Sequence, residues 1–234
     1  MTVDHRSTIA LFLLAFSGFA TGQDSSLQIR AVLNDPGKRA EFYVGTPGEG
    51  MTELRLSPEG LAEPQKVSTV DGVLNLFDSD QVTKEDAKAH LAATMKLPAG
   101  STSVILIIFP AVDQKPPYRI VAVPDDTKAF PWGSNKVVNL TPVEFAVQLG
   151  ELKMQLPGGK VTDIPKVTKL DPSNRAQTNF YYKQGDQWVL ATERRLQYVD
   201  ALRRVFVISK QPKALAPDVR TIQDQRLMEV GGEP

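Results

Sequence analysis

The sequence predicts an all-β protein: two tandem antiparallel β-sandwiches of immunoglobulin-like type, with one short helix in the first half. Three observations lead there. Apolar residues come in short runs that either alternate with polar ones or are unbroken, the two patterns of half-buried and fully buried strands. Glycine and proline, 16 and 17 of 234 residues, punctuate those runs densely. The order of strand and turn features in the first part of the chain recurs in the second. One large sandwich with recurring turn chemistry is the alternative architecture.

In order, residues 27–33 (LQIRAVL) alternate with a strand's period of two. Asn34-Asp35-Pro36-Gly37 is a turn cluster. Residues 40–44 (AEFYV) and the Leu54-Arg55-Leu56 segment are the next strands, separated by the loop at 45–50 and closed by Pro58-Glu59-Gly60. Residues 65–70 and 73–77 flank Asp71-Gly72, a tight-hairpin signal. Thr83 followed by Asp86 resembles a capping box, and Ala87, Leu91 and Met95 share a helical face, so a helix is expected over 84–93. Residues 104–109 (VILIIF) form an unbroken β-branched run, expected to be a strand covered on both faces. Pro110, Pro116 and Pro117 mark the turn into a return strand at 118–123.

Residues 125–135 (DDTKAFPWGSN) read as a linker, after which the pattern restarts. Strands are expected at 144–149, 152–156, 161–167, 178–183, 188–192 and 204–209, with a short last one at 219–222. Pro165 assigns the third of these to a sheet edge. Residues 196–199 fit either a strand end or, together with Leu202 and Phe206, a helix face. Asn34 and Pro36 precede Glu41-Phe42-Tyr43-Val44 as Asn139 and Pro142 precede Glu144-Phe145-Ala146-Val147, and residues 104–110 hold the place of 204–212. This shared order suggests a tandem duplication, tested by strand order.

Residues 9–20 (IALFLLAFSGFA) form a short apolar core behind Arg6, and Ala20-Thr21-Gly22 carries small residues where a signal peptidase reads. Cleavage is expected before Gln23. The expected organisation is a signal peptide at 1–22, sandwich domains at 23–124 and 136–226, a linker at 125–135, and a polar tail at 227–234. A mature chain without cysteine suits a bacterial periplasm or exterior, with no membrane anchor after cleavage. The 27 basic and 27 acidic side chains give no basic surface for nucleic acid. The lack of cysteine excludes disulfides, thiol nucleophiles and thiolate metal sites together.

Catalytic and cofactor signatures are incomplete. Residues 45–52 (GTPGEGMT) space their glycines like a phosphate loop, but Met51 stands where lysine is needed. His90 is the only histidine after the signal peptide and has no matched serine motif. Asp78, Asp80 and Asp125 are the acids a carboxylate hydrolase would draw on. No cofactor or metal site is expected. Trp132, Tyr181 and Trp188 are the candidate ligand-binding residues, because exposed rings stack on sugars or on a partner's side chains. The competing expectation places Phe180, Tyr182 and Trp188 in the core and Trp132 in the joint between halves. Arg194-Arg195 and Arg203-Arg204 make a basic spot, expected to be a solvated hairpin end rather than an anion site.

Asn139-Leu140-Thr141-Pro142 and Leu97-Pro98-Ala99-Gly100 resemble turn motifs of uncharacterised bacterial exported β-sandwich modules. That resemblance implies no catalysis. The expectation is an exported binding or structural module with a protein or glycan partner. A carbohydrate-binding accessory protein is the runner-up and a carboxylate hydrolase the third reading.

Overall fold

The computed structural model describes residues 25–35, 40–57 and 60–226. The expected signal peptide, the turn at Pro36-Gly37 and the polar tail lie outside the described residues. The first half comprises β1 (Ser25–Leu33), β2 (Tyr43–Thr46), β3 (Gly50–Glu53), β4 (Leu56–Ser57), β5 (Gln65–Thr69), β6 (Val73–Phe77), β7 (Leu91–Lys96), β8 (Ser103–Pro110) and β9 (Tyr118–Pro124). The second comprises β10 (Asn135–Asn139), β11 (Phe145–Leu149), β12 (Leu152–Leu156), β13 (Val161–Ile164), β14 (Arg175–Gln184), β15 (Gln187–Gln197), β16 (Leu202–Ser209) and β17 (Asp218–Gln225).

These strands form four sheets. In the first half, sheet I runs β4-β1-β8-β9 with β5 also on β1, and sheet II runs β3-β2-β6-β7. In the second half, sheet III runs β13-β10-β16-β17 and sheet IV runs β12-β11-β14-β15. The two halves follow one plan. In each, the first strand pairs in parallel with the penultimate one, β1 with β8 and β10 with β16. These parallel pairs depart from the antiparallel expectation. In each half the last two strands form an antiparallel hairpin. Short β4 is the one addition in the first half.

Three clusters of buried side chains order the sheets as layers. Leu27, Ile29, Val104 and Leu106 of sheet I pack with Val44, Leu74 and Leu76 of sheet II. Val137 and Phe206 of sheet III pack with Phe145, Val147 and Phe180 of sheet IV. Between the halves, Val32, Ile105, Ile107 and Val123 of sheet I meet Val138, Val205, Val207 and Ile222 of sheet III. The sandwiches are thus stacked II–I–III–IV. Strand β8 is buried on both faces because even-numbered residues enter its own sandwich while Ile105 and Ile107 face the other half. All five side chains from Val104 to Ile108 are 0% exposed, and each fully buried side chain of this size stabilises by roughly 1.5–3 kcal/mol.

The expected helix over 84–93 is not formed, and no helix occurs among the described residues. The capping signal itself is real. Thr83 N donates to Asp86 Oδ1 at 2.8 Å and Asp86 N to Thr83 Oγ1 at 3.4 Å. One turn follows, with Ala89 N donating to the Asp86 carbonyl, and the chain then extends as β7 against β6. So short a helix is marginal alone. Pairing on β6 buries Ala92 and Ala93 fully, and tertiary burial overrides the local signal.

Asp71-Gly72 adopts φ values of 52° and 69°, the two left-handed positions of a type I′ turn. The hairpin is only one bridge long, Val70 with Val73. Beyond it β5 joins sheet I and β6 joins sheet II, so the turn links the layers of the sandwich. Strand β13 ends at Ile164, ahead of Pro165, at the expected sheet edge.

Candidate functional site

Segment 125–135 is pinned rather than free. Phe130 is 0% exposed, and Asp125 enters an ionic network between sheets I and III. Arg30 grips Asp125 through Nε and Nη2 at 2.8 and 2.6 Å, and Asp224 through Nη1 and Nη2 at 2.9 and 2.7 Å. Arg203 donates to the same carboxylates, from Nη2 to Asp125 at 2.6 Å and from Nε to Asp224 at 2.8 Å. Its Nη1 donates to the Phe130 carbonyl at 2.7 Å. The Arg203 guanidinium lies 4.5 Å from the Trp132 ring centroid and 4.6 Å from that of Phe130. Trp132 is therefore a half-buried wall of the joint, one of the two roles expected for it.

Two cations and two anions balance in this network. Burial pulls the Asp224 carboxyl up, but hydrogen bonds from Arg30 and then Arg203 outweigh it, and its pKa lies below the ordinary value. Burial also acts to lower the Arg30 pKa, yet its hydrogen bonds to Asp224 and Asp125 leave it raised. The sign for stability follows from Asp224. A carboxyl depressed in the folded state contributes stability above its unfolded value of about 3.9 and loses it as pH falls through the folded value. Urea midpoints are expected to hold from neutral pH to about pH 4 and to fall below it, less steeply in Asp224→Asn. A wild-type midpoint flat to pH 2.5 contradicts this.

Tyr181 and Trp188 lie elsewhere, on the outer face of sheet IV. The β14–β15 hairpin turns through Gly185 at φ 60°, a conformation glycine takes without strain. Gln184 pairs with Gln187 and Lys183 with Trp188, so Trp188 stands on the outward face with Tyr181. The expectation of a core Trp188 is corrected by this register: its side chain points away from Phe180 and is 42% exposed. Phe180 is core and packs 5.2 Å from Phe206, while Tyr182 is partly buried beside Phe145.

Tyr181 and Trp188 border an open groove of about 440 Å³ whose floor includes Ala146 and Gln148 of β11 and Lys153 and Gln155 of β12. A row of amides leads up to it. Gln177 Nε2 donates to Asn179 Oδ1 at 3.0 Å, and Asn179 Nδ2 donates to the Tyr181 hydroxyl at 3.2 Å. Of the three predicted binding residues the fold brings together two. No family model matches the chain, and no curated protein is similar to it. The groove's own chemistry carries the functional reading.

Two of the three hydrolase acids are engaged by other side chains. Asp125 is held by arginines between the sheets, and exposed Asp78 accepts from His90 Nδ1 at 2.8 Å. Among the described residues no three His, Asp or Glu side chains group to hold a metal ion, and no helix is long and apolar enough to cross a membrane.

The expected solvated basic spot is corrected for one of its two arginine pairs. Arg203 and Arg204 are 3% and 2% exposed. Arg194 ties β15 to β17, donating to Thr221 Oγ1 at 3.0 Å and to the Val219 carbonyl at 3.1 Å. Arg194 and Arg195 are both exposed, Arg195 paired with Asp171.

Proposed function

We propose that the protein is an exported, non-catalytic binding module made of two tandem immunoglobulin-like sandwiches, and that the groove on sheet IV takes a glycan. The shared strand order of the two halves supports the tandem reading and a duplication behind it. Export rests on the apolar core and small-residue site of residues 1–22. The observation that carries the glycan reading is the exposed Trp188 indole sharing one open groove with Tyr181, among amide side chains.

Rings of this kind cover the apolar face of a pyranose, and amides exchange hydrogen bonds with its hydroxyls. The groove is shallow and open, and it mixes apolar walls with a few polar groups. Lys153 adds one positive charge on the floor, which suits a neutral or acidic sugar better than a basic one.

The test is retention on insoluble polysaccharides and a glycan array, comparing wild type with Trp188→Ala and Tyr181→Ala. Losing a stacked ring is expected to weaken capture by about tenfold. Melting temperature should change little in Trp188→Ala, because the indole is largely outside the core. A wild type retained by no polysaccharide, or an undiminished Trp188→Ala, overturns the glycan assignment.

A further inference from the structure

Arg204 lies on the inner face of sheet III at one end of the second sandwich. Its burial is nearly complete, yet no carboxylate pairs with it among the described residues. Its protein acceptors are uncharged. Nε donates to Gln223 Oε1 at 3.3 Å and Nη2 to the Gln197 carbonyl at 2.5 Å. A guanidinium carries five N–H donors and stays protonated, and the acceptors found for it among the described residues serve Nε and Nη2. Burial lowers its pKa, and the nearby Tyr198 hydroxyl offsets this only in part. The Tyr198 ring, 5.2 Å away and anchored by its hydroxyl to Thr178 at 2.6 Å, fixes the guanidinium plane.

A cavity of about 520 Å³ opens onto this group, with Arg175, Arg195, Gln197, Gln223 and Gln225 also on its walls. No Asp or Glu lines it. Asp171 neutralises Arg195, while Arg175 and Arg204 have no carboxylate partner among the described residues. Beside Arg204 in the β10–β16 register is Asn135, 2% exposed, whose Oδ1 and Nδ2 both lack a hydrogen-bond partner. Buried polar groups are ordinarily satisfied. Arg204 thus brings a buried guanidinium, without a carboxylate partner among the described residues, to the wall of a cationic cavity.

We propose that this cavity is a binding site for a small oxyanion, a carboxylate, phosphate or sulfate group, held by Arg204 and closed over by Arg175. The site is distinct from the groove on the outer face of sheet IV. Charge-assisted bonds from a fixed, desolvated guanidinium are the strong kind, and its planar fork matches an oxyanion's geometry.

Calorimetric titration with citrate, inorganic phosphate and sulfate in separate arms tests this at low ionic strength. Saturable one-to-one binding is expected in at least one arm, and the tightest arm identifies the oxyanion chemistry. Arg204→Met should abolish it. Because Arg204 is buried and its loss can unfold the domain, Arg175→Gln at the rim is the decisive variant, expected to weaken binding about tenfold. Lys210→Gln removes the same charge at an exposed site that does not line the cavity and should leave affinity within about twofold. No saturable binding in any arm overturns the proposal, as does an equal effect of Arg175→Gln and Lys210→Gln.

Discussion

Replacing Arg203 with methionine is expected to destabilise the protein by about 3–5 kcal/mol, measured by urea unfolding near neutral pH. Methionine keeps much of the apolar stem and removes the charge. Asp125 and Asp224 would then share Arg30 alone, and the Phe130 carbonyl would lose its donor. The network members have side-chain exposures of 13% or less, so water does not screen the loss. Removing one partner of a buried set costs far more than the set contributes relative to apolar residues, because the orphaned charge stays buried. Adding Asp224→Asn to Arg203→Met restores charge balance and should recover part of the loss, a coupling of about 0.5–3 kcal/mol. The pair between Lys169 and Glu151, with side chains 71% and 70% exposed, provides the contrast. Neutralising it should cost within about 1 kcal/mol. A cost below about 1 kcal/mol for Arg203→Met means the joint admits water and the network does not clamp the halves.

Most strands are legible in the sequence because their signals are local. Period-two alternation at 27–33, the Asp71-Gly72 turn and the proline that ends β13 each act within a few residues. The unbroken run at 104–109 goes further: a strand apolar on both faces implies a layer on each side. What it does not name is the second layer, because sheet III is assembled from strands that begin at Asn135 and end at Gln225. The helix over 84–93 fails for the same reason. Its capping bonds are made, but β6 offers Ala92 and Ala93 more burial than a short helix does.

The arginines are the clearest case of a site hidden by residue-level polarity. Two adjacent arginines suggest solvent, since arginine is almost never fully buried unless paired. Adjacent strand residues face opposite ways. On a strand covered on both faces, as β16 is, both must therefore be buried. Arg203 goes between the halves to meet Arg30 and two aspartates, and Arg204 goes into the second sandwich. The run RVFVIS carries the same two-faced signal as VILIIF and extends to the arginine before it. Arg30 looks like the polar phase of an amphipathic strand, and only the covered outer face of sheet I reveals that it needs partners. Trp188 depends on a single count, the two residues in its turn, which decides its face.

The second large effect tests that layering directly. Leu106→Ala and Ile107→Ala are expected to cost about the same, roughly 2–5 kcal/mol each. The two residues are neighbours on β8, both 0% exposed, and point in opposite directions. Leu106 belongs to the core of the first sandwich, and Ile107 to the cluster shared with sheet III. In an isolated first sandwich, Ile107 would sit on an outer face, where its truncation typically costs within about 0.5 kcal/mol. Leu106 would be unaffected by the change of context. The difference between the two costs therefore reports whether the halves are packed on one another in solution. Near-equal values mean a single cooperative body whose third core lies at the joint. A cheap Ile107→Ala beside an expensive Leu106→Ala means two sandwiches held mainly by the chain between them, and the arginine network would then have to be largely solvated as well. Both variants unfold in urea from the same reference state, so their comparison is insensitive to how much surface the unfolded chain already buries.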